Sequence, residues 1–208
     1  MNKKNAILAF GLLVATGMAS VAVAADTGFY VMGGLGQQLD SNTTKSDGDT
    51  LLTRIGGRGF SSSVSQATVY RVQLGYQVNT NLAIEGGYIG TDDETYSASG
   101  GNVIGSITMK QNVKAWNLTA VGLLPVADKF SLLGKLGYAN VKASATFTSA
   151  GGSLNADGTK NDFTYGIGAK YDITKEVFTR LDVDSYNIGS STSSSRTNVW
   201  MLNIGYKF

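Results

Sequence analysis

Thr197-Asn198-Val199-Trp200-Met201-Leu202-Asn203-Ile204-Gly205-Tyr206-Lys207-Phe208 alternates without a break. Trp200, Leu202, Ile204, Tyr206 and Phe208 form one large apolar set, and Val199, Met201, Asn203, Gly205 and Lys207 form a small or polar one. Side chains alternate across a strand with period two, so this is a strand with an apolar face and a crowded or wet one. A soluble sandwich would show the same pattern. The aromatic ending favours a barrel, because a chain that stops inside its last strand must pair that strand, and closure leaves no edge.

The amino end carries Lys3 and Lys4, then an apolar run from Ala6 to Met18 broken by Gly11 and Gly17, then the small-x-small tripeptide Ala22-Val23-Ala24. That is the pattern of a secretory signal peptide over 1–24, cleaved after Ala24 or Ala25. The apolar run is shorter than the ~20 residues of a spanning helix. Residues 25–208 are then expected to form one domain, about 184 residues by subtraction of 24 from 208. Removing Lys3 and Lys4 leaves 15 basic residues of the 17 against 15 acidic ones, so the formal charge of +2 says nothing about nucleic acid. The chain has 27 Gly, 10 Tyr and one Pro, with almost no helical periodicity, a composition that suits strands with crowded backbones and interfacial aromatics.

Eight alternating segments follow: Thr27 to Gln38, Ala67 to Val78, Leu82 to Thr91, Val113 to Leu124, Phe130 to about Val141, Asp162 to Ile173, Glu176 to Asn187, and the closing stretch. The outer end of the fifth reaches toward Phe147. Long polar connections, Leu39 to Gln66, Asp92 to Met109, Ser149 to Asn161 and Ile188 to Arg196, alternate with tight ones at Asn79 to Asn81, Pro125 to Lys129 and Thr174-Lys175. The short ones all fall on the side of the termini, the layout of a transmembrane barrel with tight periplasmic turns and larger outer loops. A strand of about 11 residues rising ~3.3 Å each at a tilt of ~40° spans roughly 27 Å, the height of the apolar band. The fold expected is all-β, an eight-stranded antiparallel up-and-down transmembrane barrel. It sorts Phe29, Tyr76, Phe130, Tyr171, Tyr206 and Phe208 to one rim and Tyr70, Tyr88, Trp116, Tyr138, Tyr165 and Trp200 to the other, two girdles at the two interfaces.

The leader, the opening Asp26-Thr27-Gly28-Phe29-Tyr30-Val31, the Leu74-Gly75-Tyr76 strand with its turn, Leu82-Ala83-Ile84-Glu85-Gly86-Gly87-Tyr88, Thr179-Arg180-Leu181-Asp182 and the aromatic end carry a resemblance. The chain resembles the membrane domain of the outer membrane protein A family of eight-stranded barrels. The resemblance implies the cell outer membrane of a Gram-negative bacterium. It also implies that Ile204, Tyr206 and Phe208 form the closing-strand signal read by the outer-membrane assembly machinery. The chain stops at Phe208 without the soluble peptidoglycan-binding domain of the full-length namesake, so no cell-wall tether is implied.

Arg71, Glu85, Lys135, Lys170, Arg180, Asp182 and Asp184 fall on the inward sets of their strands. Eight strands enclose a space just wide enough for side chains to fill, so these form either a polar plug or a narrow conduit whose pairs exchange partners. Glu85 is expected to pair with one or more of Arg71, Lys135 and Arg180, with Lys135 or Arg180 favoured, since Arg71 and Glu85 lie about nine and four residues from their shared turn. The loop Leu39 to Gln66 combines Arg54 and Arg58 with Leu51, Leu52, Ile55 and Phe60, which suits contact with lipopolysaccharide phosphates and the acyl boundary, or a mobile surface loop.

With no His and no Cys, Ser-His-Asp and Cys-His catalysis and a histidine zinc site are excluded. No enzyme activity, cofactor or catalytic residue is expected. Asp92-Asp93-Glu94 reads as a solvated acidic loop rather than a cation site, and Gly166-Ile167-Gly168 and Gly56-Gly57-Arg58-Gly59 open no helix that would hold a phosphate. The function expected is a structural and surface-interaction protein, adhesin-like through its outer loops, with host or surface ligands and outer-membrane lipid as partners. The alternative is a small low-conductance pore through the barrel.

Overall fold

The structure, a computed structural model, describes residues 27–39, 41–187 and 196–208. The leader expected over 1–24, its cleavage positions and residues 188–195 of the last loop lie outside these. In order the elements are β1 Gly28–Gln38, α1 Ser41–Arg54, β2 Ser61–Ser65, β3 Thr68–Asn79, β4 Leu82–Thr91, β5 Glu94–Gly100, β6 Val103–Ala127, β7 Phe130–Ser149, β8 Gly152–Asp172, β9 Val177–Asn187 and β10 Arg196–Lys207.

Eight strands close a ring, β1-β3-β4-β6-β7-β8-β9-β10, in which every neighbouring pair is antiparallel. The closing strand of the sequence is β10. It lies between β9 and β1, with Lys207 opposite Tyr30 and Val199 opposite Gln38, and the Phe208 amide donates to the Phe29 carbonyl at 2.9 Å. Its alternation maps onto the wall: Leu202, Ile204 and Tyr206 point out and are exposed, while Val199, Met201, Asn203 and Gly205 are buried within. Strand after strand presents large apolar side chains outward, Ile167 at 69% and Leu118 at 62% exposure among them, a continuous surface that suits lipid rather than water.

Local chemistry explains the tight turns. The Asn79 carboxamide oxygen accepts from the Asn81 amide at 2.8 Å, and the Thr174 hydroxyl accepts from the amides of Glu176 and Val177. Pro125 was expected to open a turn running to Lys129. It stands instead inside β6 opposite Ser131, next to a register shift between Pro125 and Ala127, and the turn itself is Asp128-Lys129. A proline is tolerated beside such an irregularity because the ladder is already interrupted there. Aromatics gather at both ends: Phe29 with Tyr76 (4.8 Å between centroids) and Tyr206 with Phe208 (5.4 Å) at the short-turn end, and Tyr88 with Trp116 (5.0 Å) and Tyr138 with Phe163 (5.8 Å) at the other. Phe163 joins the second ring beside Tyr138.

The far end departs from expectation. Three strands run well past the second ring: β6 begins at Val103 rather than Val113, β7 continues to Ser149, and β8 begins at Gly152 rather than Asp162. The expected connections Asp92 to Met109 and Ser149 to Asn161 are therefore largely hairpins. The connection Leu39 to Gln66 contains α1 and β2. β5 pairs with the outer half of β6, from Glu94 opposite Gln111 to Gly100 opposite Val103, and β2 pairs with β5. The result is a five-stranded sheet, β2-β5-β6-β7-β8, rising from one side of the ring. At its β5–β6 tip Gly100 and Gly101 take φ of +85° and +62°, a left-handed pair that glycine supplies without steric cost.

Candidate functional site

Two places concentrate chemistry. The first is the lumen, where the inward alternation of four strands, β3, β4, β7 and β9, brings charges together at mid-height. Asp182 on β9 is the hub: its Oδ2 accepts from Arg71 Nη1 at 2.9 Å, Arg180 Nε at 3.0 Å, Lys135 Nζ at 3.1 Å and Asn203 Nδ2 at 3.2 Å. Arg71 reaches Asp184 as well, and Lys135 Nζ lies 2.6 Å from Asp184 Oδ1. Arg180 holds Glu85 through two bonds, Nη1 to Oε1 at 2.5 Å and Nη2 to Oε2 at 3.0 Å, and the Tyr30 hydroxyl donates to Glu85 Oε1 at 2.5 Å. Three cations and three carboxylates, all buried, thus form one connected and neutral cluster. Bidentate pairing matches the planar fork of arginine.

Apolar layers close the cluster above and below. Val69, Ile89, Ala115, Ala139, Val141, Tyr186, Val199 and Met201 pack toward the far end, and Tyr30, Met32, Ala83, Val121, Leu123, Leu133 and Phe178 toward the short-turn end. Glu85 pairs with Arg180 across the lumen; its register neighbours are Gly75 and Thr119, and Arg71 stands opposite Ile89 on the adjacent strand. Lys170 is buried on the inward side as expected but does not join the cluster, a correction to the expected network. It sits at the short-turn rim with Asp172 at 3.3 Å, where Lys207 shares the same carboxylate at 2.7 Å and both ammonium groups lie over the Phe178 ring. The sequence reading missed Tyr30, Gln73, Asn117, Tyr186 and Asn203 as polar partners, although each stands on an inward position of its strand. Inward polarity on a strand with an apolar outer face was the available signal.

The second place is the outer sheet. Leu52 of α1 packs with Tyr96 and Ala98 of β5, flanked by Phe60, Val64, Ile107 and Met109. Ile107 and Met109 share the β6 face that carries Ala115 into the lumen, so the helix docks on the axis side of the sheet. Asp49 ties it down, accepting from the Tyr96 hydroxyl at 2.7 Å and from Lys45 at 2.9 Å. The Ser62 hydroxyl, then Lys45 and Tyr96, hold the Asp49 carboxyl down at about 2. Burial, reinforced by the Asp49 carboxylate, pushes Tyr96 up to about 12. Gly48 lies flat on the Tyr96 ring, where a Cβ would come within 2.6 Å of it. Just past the end of the helix at Arg54, Gly56 takes φ +95° and the Gly57 amide bonds back to the Leu52 carbonyl at 2.8 Å.

Arg54 sits in the last turn of α1, exposed beside Leu51 and Ile55. Arg58 lies at the sheet tip, where its amide donates to Asn102 Oδ1 at 2.6 Å and its carbonyl accepts from the Asn102 amide. Of the acidic triple, Asp93 accepts from Asn112 at 3.1 Å and Glu94 is buried.

An eight-strand antiparallel ring with an apolar outside, two aromatic rings and hairpins growing from one end only has the form of the outer membrane protein beta-barrel domain, and that family matches residues 8–208. The chain belongs to it. As an outer membrane barrel it resides in the cell outer membrane, its apolar face in lipid. Among solved structures it is similar to Neisserial surface protein A, at 13% identity over 87% of this chain and 97% of that one, with a TM-score of 0.53. It is also similar to Ail, the attachment invasion locus protein of Yersinia pestis, solved in complex with the heparin analogue sucrose octasulfate, at 16% identity over 88% and 99%, with a TM-score of 0.50. At these identities the likeness is one of fold. No curated protein matches the chain.

Proposed function

We propose that this outer membrane barrel is a structural and surface-interaction protein, adhesin-like, which meets surface ligands through the sheet and helix that stand outside the membrane. The observation that carries the reading is a division of labour: the lumen is filled by a neutral ion cluster between two apolar layers, while strands β6 to β8 continue outward as an exposed platform. A rigid scaffold presenting exposed segments is the usual arrangement of a binding protein. Arg54 and Arg58 are the basic groups offered to lipopolysaccharide or another anionic surface polymer. The test is adhesion of cells expressing the full chain against cells expressing a variant with residues 40–66 replaced by a short polar linker. Equal adhesion at equal surface level would sink the reading, and unchanged lipopolysaccharide affinity in R54A/R58A would remove those two residues from it.

A small pore is the second reading. It is favoured by polar atoms within the cluster that have no partner among the described residues, Asp182 Oδ1, Arg71 Nε, Gln73 Oε1 and Asn203 Oδ1, which leave room for exchanged pairings. Stepwise conductance of the refolded barrel in planar bilayers would favour it; a silent bilayer with inserted protein would remove it.

Ile204, Tyr206 and Phe208 are assigned to recognition by the assembly machinery. Deleting Phe208 is expected to leave protease-sensitive protein in the periplasm. Normal heat-modifiable folding of that deletion would refute the assignment.

A further inference from the structure

We propose that Leu51, Arg54, Ile55 and Arg58 form a docking ridge for an acidic protein segment that carries apolar side chains. The Ile55 amide donates to the Leu51 carbonyl at 3.2 Å, so the two apolar side chains stand one helical turn apart, off the face of α1 that buries Leu52. They are 52% and 74% exposed. Arg54 lies between them in sequence and Arg58 one turn further on, both exposed, and neither forms an ion pair among the described residues.

The ridge is clamped in place. At the β5–β6 tip Asn102 donates from Nδ2 to the Gly56 carbonyl at 2.7 Å, accepts at Oδ1 from the Arg58 amide at 2.6 Å, and donates its own amide to the Arg58 carbonyl at 3.1 Å. Gly101 packs so closely that a Cβ there would come within 2.0 Å of the Arg58 carbonyl oxygen. A surface fixed in this way loses little freedom when a partner settles on it.

Lipid does not cover the apolar pair. Leu52 packs on Tyr96, Tyr96 stands opposite Met109, and Met109 is seven residues beyond Trp116 by subtraction of 109 from 116. At ~3.3 Å per residue and ~40° of tilt that is roughly 18 Å above the aromatic ring, which marks the headgroup boundary. From there the chain climbs to Asn102 at the tip, so Leu51 and Ile55 stand in water beyond the reach of acyl chains.

Charge selects the partner. Residues 51–60 hold two arginines and no acidic group. Asp49 is engaged by Lys45 and Tyr96, and Asp47 lies seven residues before Arg54, about 10 Å back along the helix axis. Asp93 and Asp157 share the sheet face of Asn112 and Ser144, the side away from α1. An anionic polysaccharide would satisfy the two guanidinium groups but leave Leu51 and Ile55 in water; a polypeptide with carboxylates beside apolar side chains satisfies both. The inference rests on the surface-interaction reading and names the class of its partner.

The test is selection of a random peptide library on the full refolded chain in phosphatidylcholine nanodiscs, with empty nanodiscs as the control. Selected peptides are expected to combine Asp or Glu with Leu, Ile or Phe. L51Q/I55Q and R54Q/R58Q are each expected to weaken their binding at least about tenfold, and L51M/I55L to retain it. All four side chains are exposed, and heat-modifiable migration confirms that each variant is folded.

No peptide enriched over empty nanodiscs, selected peptides without acidic residues, or equal binding to L51Q/I55Q overturns the proposal. Dextran sulfate bound more tightly than any selected peptide, lost in R54Q/R58Q and unchanged in L51Q/I55Q, overturns it in favour of a polysaccharide. Cell adhesion lost when residues 40–66 are replaced but kept in L51Q/I55Q overturns the ridge alone and leaves the adhesin-like reading standing.

Discussion

The lumen and the outer sheet are built by opposite rules from the same chain. In the lumen, residues far apart in sequence are held by walls that fix every inward position, and six charges find partners across the barrel, as Glu85 does with Arg180. In the outer sheet the backbone ladder is just as regular, yet α1 is held by one buried leucine, a flat glycine contact and the Asp49 carboxylate. Lipid on the outside forces a strict in-out code. Where water lies on both sides, the code relaxes, and only backbone hydrogen bonds and a few anchors remain.

The sharpest way to break this comparison is Asp182→Ala. It removes the oxygen on which Arg71, Lys135, Arg180 and Asn203 converge and leaves buried cations short of partners, so a loss of about 3 to 5 kcal/mol is expected in urea unfolding of the refolded barrel. An unchanged midpoint would show that the cluster relaxes as freely as the exterior does. Glu85→Gln is milder. The amide can still accept from Tyr30 but surrenders the charge facing Arg180, which then depends on Asp182 alone. We expect a loss near 2 kcal/mol or a higher open probability in bilayers, and neither result would mean that Glu85 lies outside the network.

Leu52→Ala is expected to release α1 while leaving the heat-modifiable shift of the barrel intact. Faster proteolysis within 41–60, at unchanged barrel stability, is the readout. A barrel weakened along with the helix would show that the two regions fold as one.

The smallest effect is a pH dependence. The folded carboxyl of Asp49 is depressed to about 2. Its contribution to docking is therefore complete above the unfolded carboxyl value near 4 and is lost as pH falls from there through 2. Protease sensitivity of the helix should rise in that window alone, and D49N should abolish the pH step.

The two regions were also unequally legible in the sequence. Alternation disclosed all eight ring strands and the inward placement of Arg71, Glu85, Lys135, Arg180, Asp182 and Asp184, because outward Leu, Ile and aromatic residues mark every second position. It did not disclose levels, which depend on tilt and shear; hence Lys170 was grouped with charges that it never meets, and Arg180 had to be weighed against Lys135 for Glu85. Beyond the outer ring the marking disappears. Gly152 to Asn161 is a strand exposed on both faces, so no apolar rhythm betrays it. The helix is written in weak formers, Ser-Asn-Thr-Thr-Lys-Ser-Asp-Gly-Asp-Thr, and exists through its docking on Tyr96, which no local pattern announces.

The unbroken run of β7 and β8 from the short-turn rim to the tip at Ser149 and Gly152 has a mechanical consequence. A load applied at that tip, away from the membrane, draws β7 and β8 the same way and must shear the ladders that hold them to β6 and β9, from Thr148 opposite Thr108 to Phe130 opposite Ala127 and from Tyr165 opposite Ser185 to Asp172 opposite Phe178, rather than peel them one rung at a time. No hinge separates the platform from the membrane anchor, so tension taken up outside is delivered straight into the barrel wall.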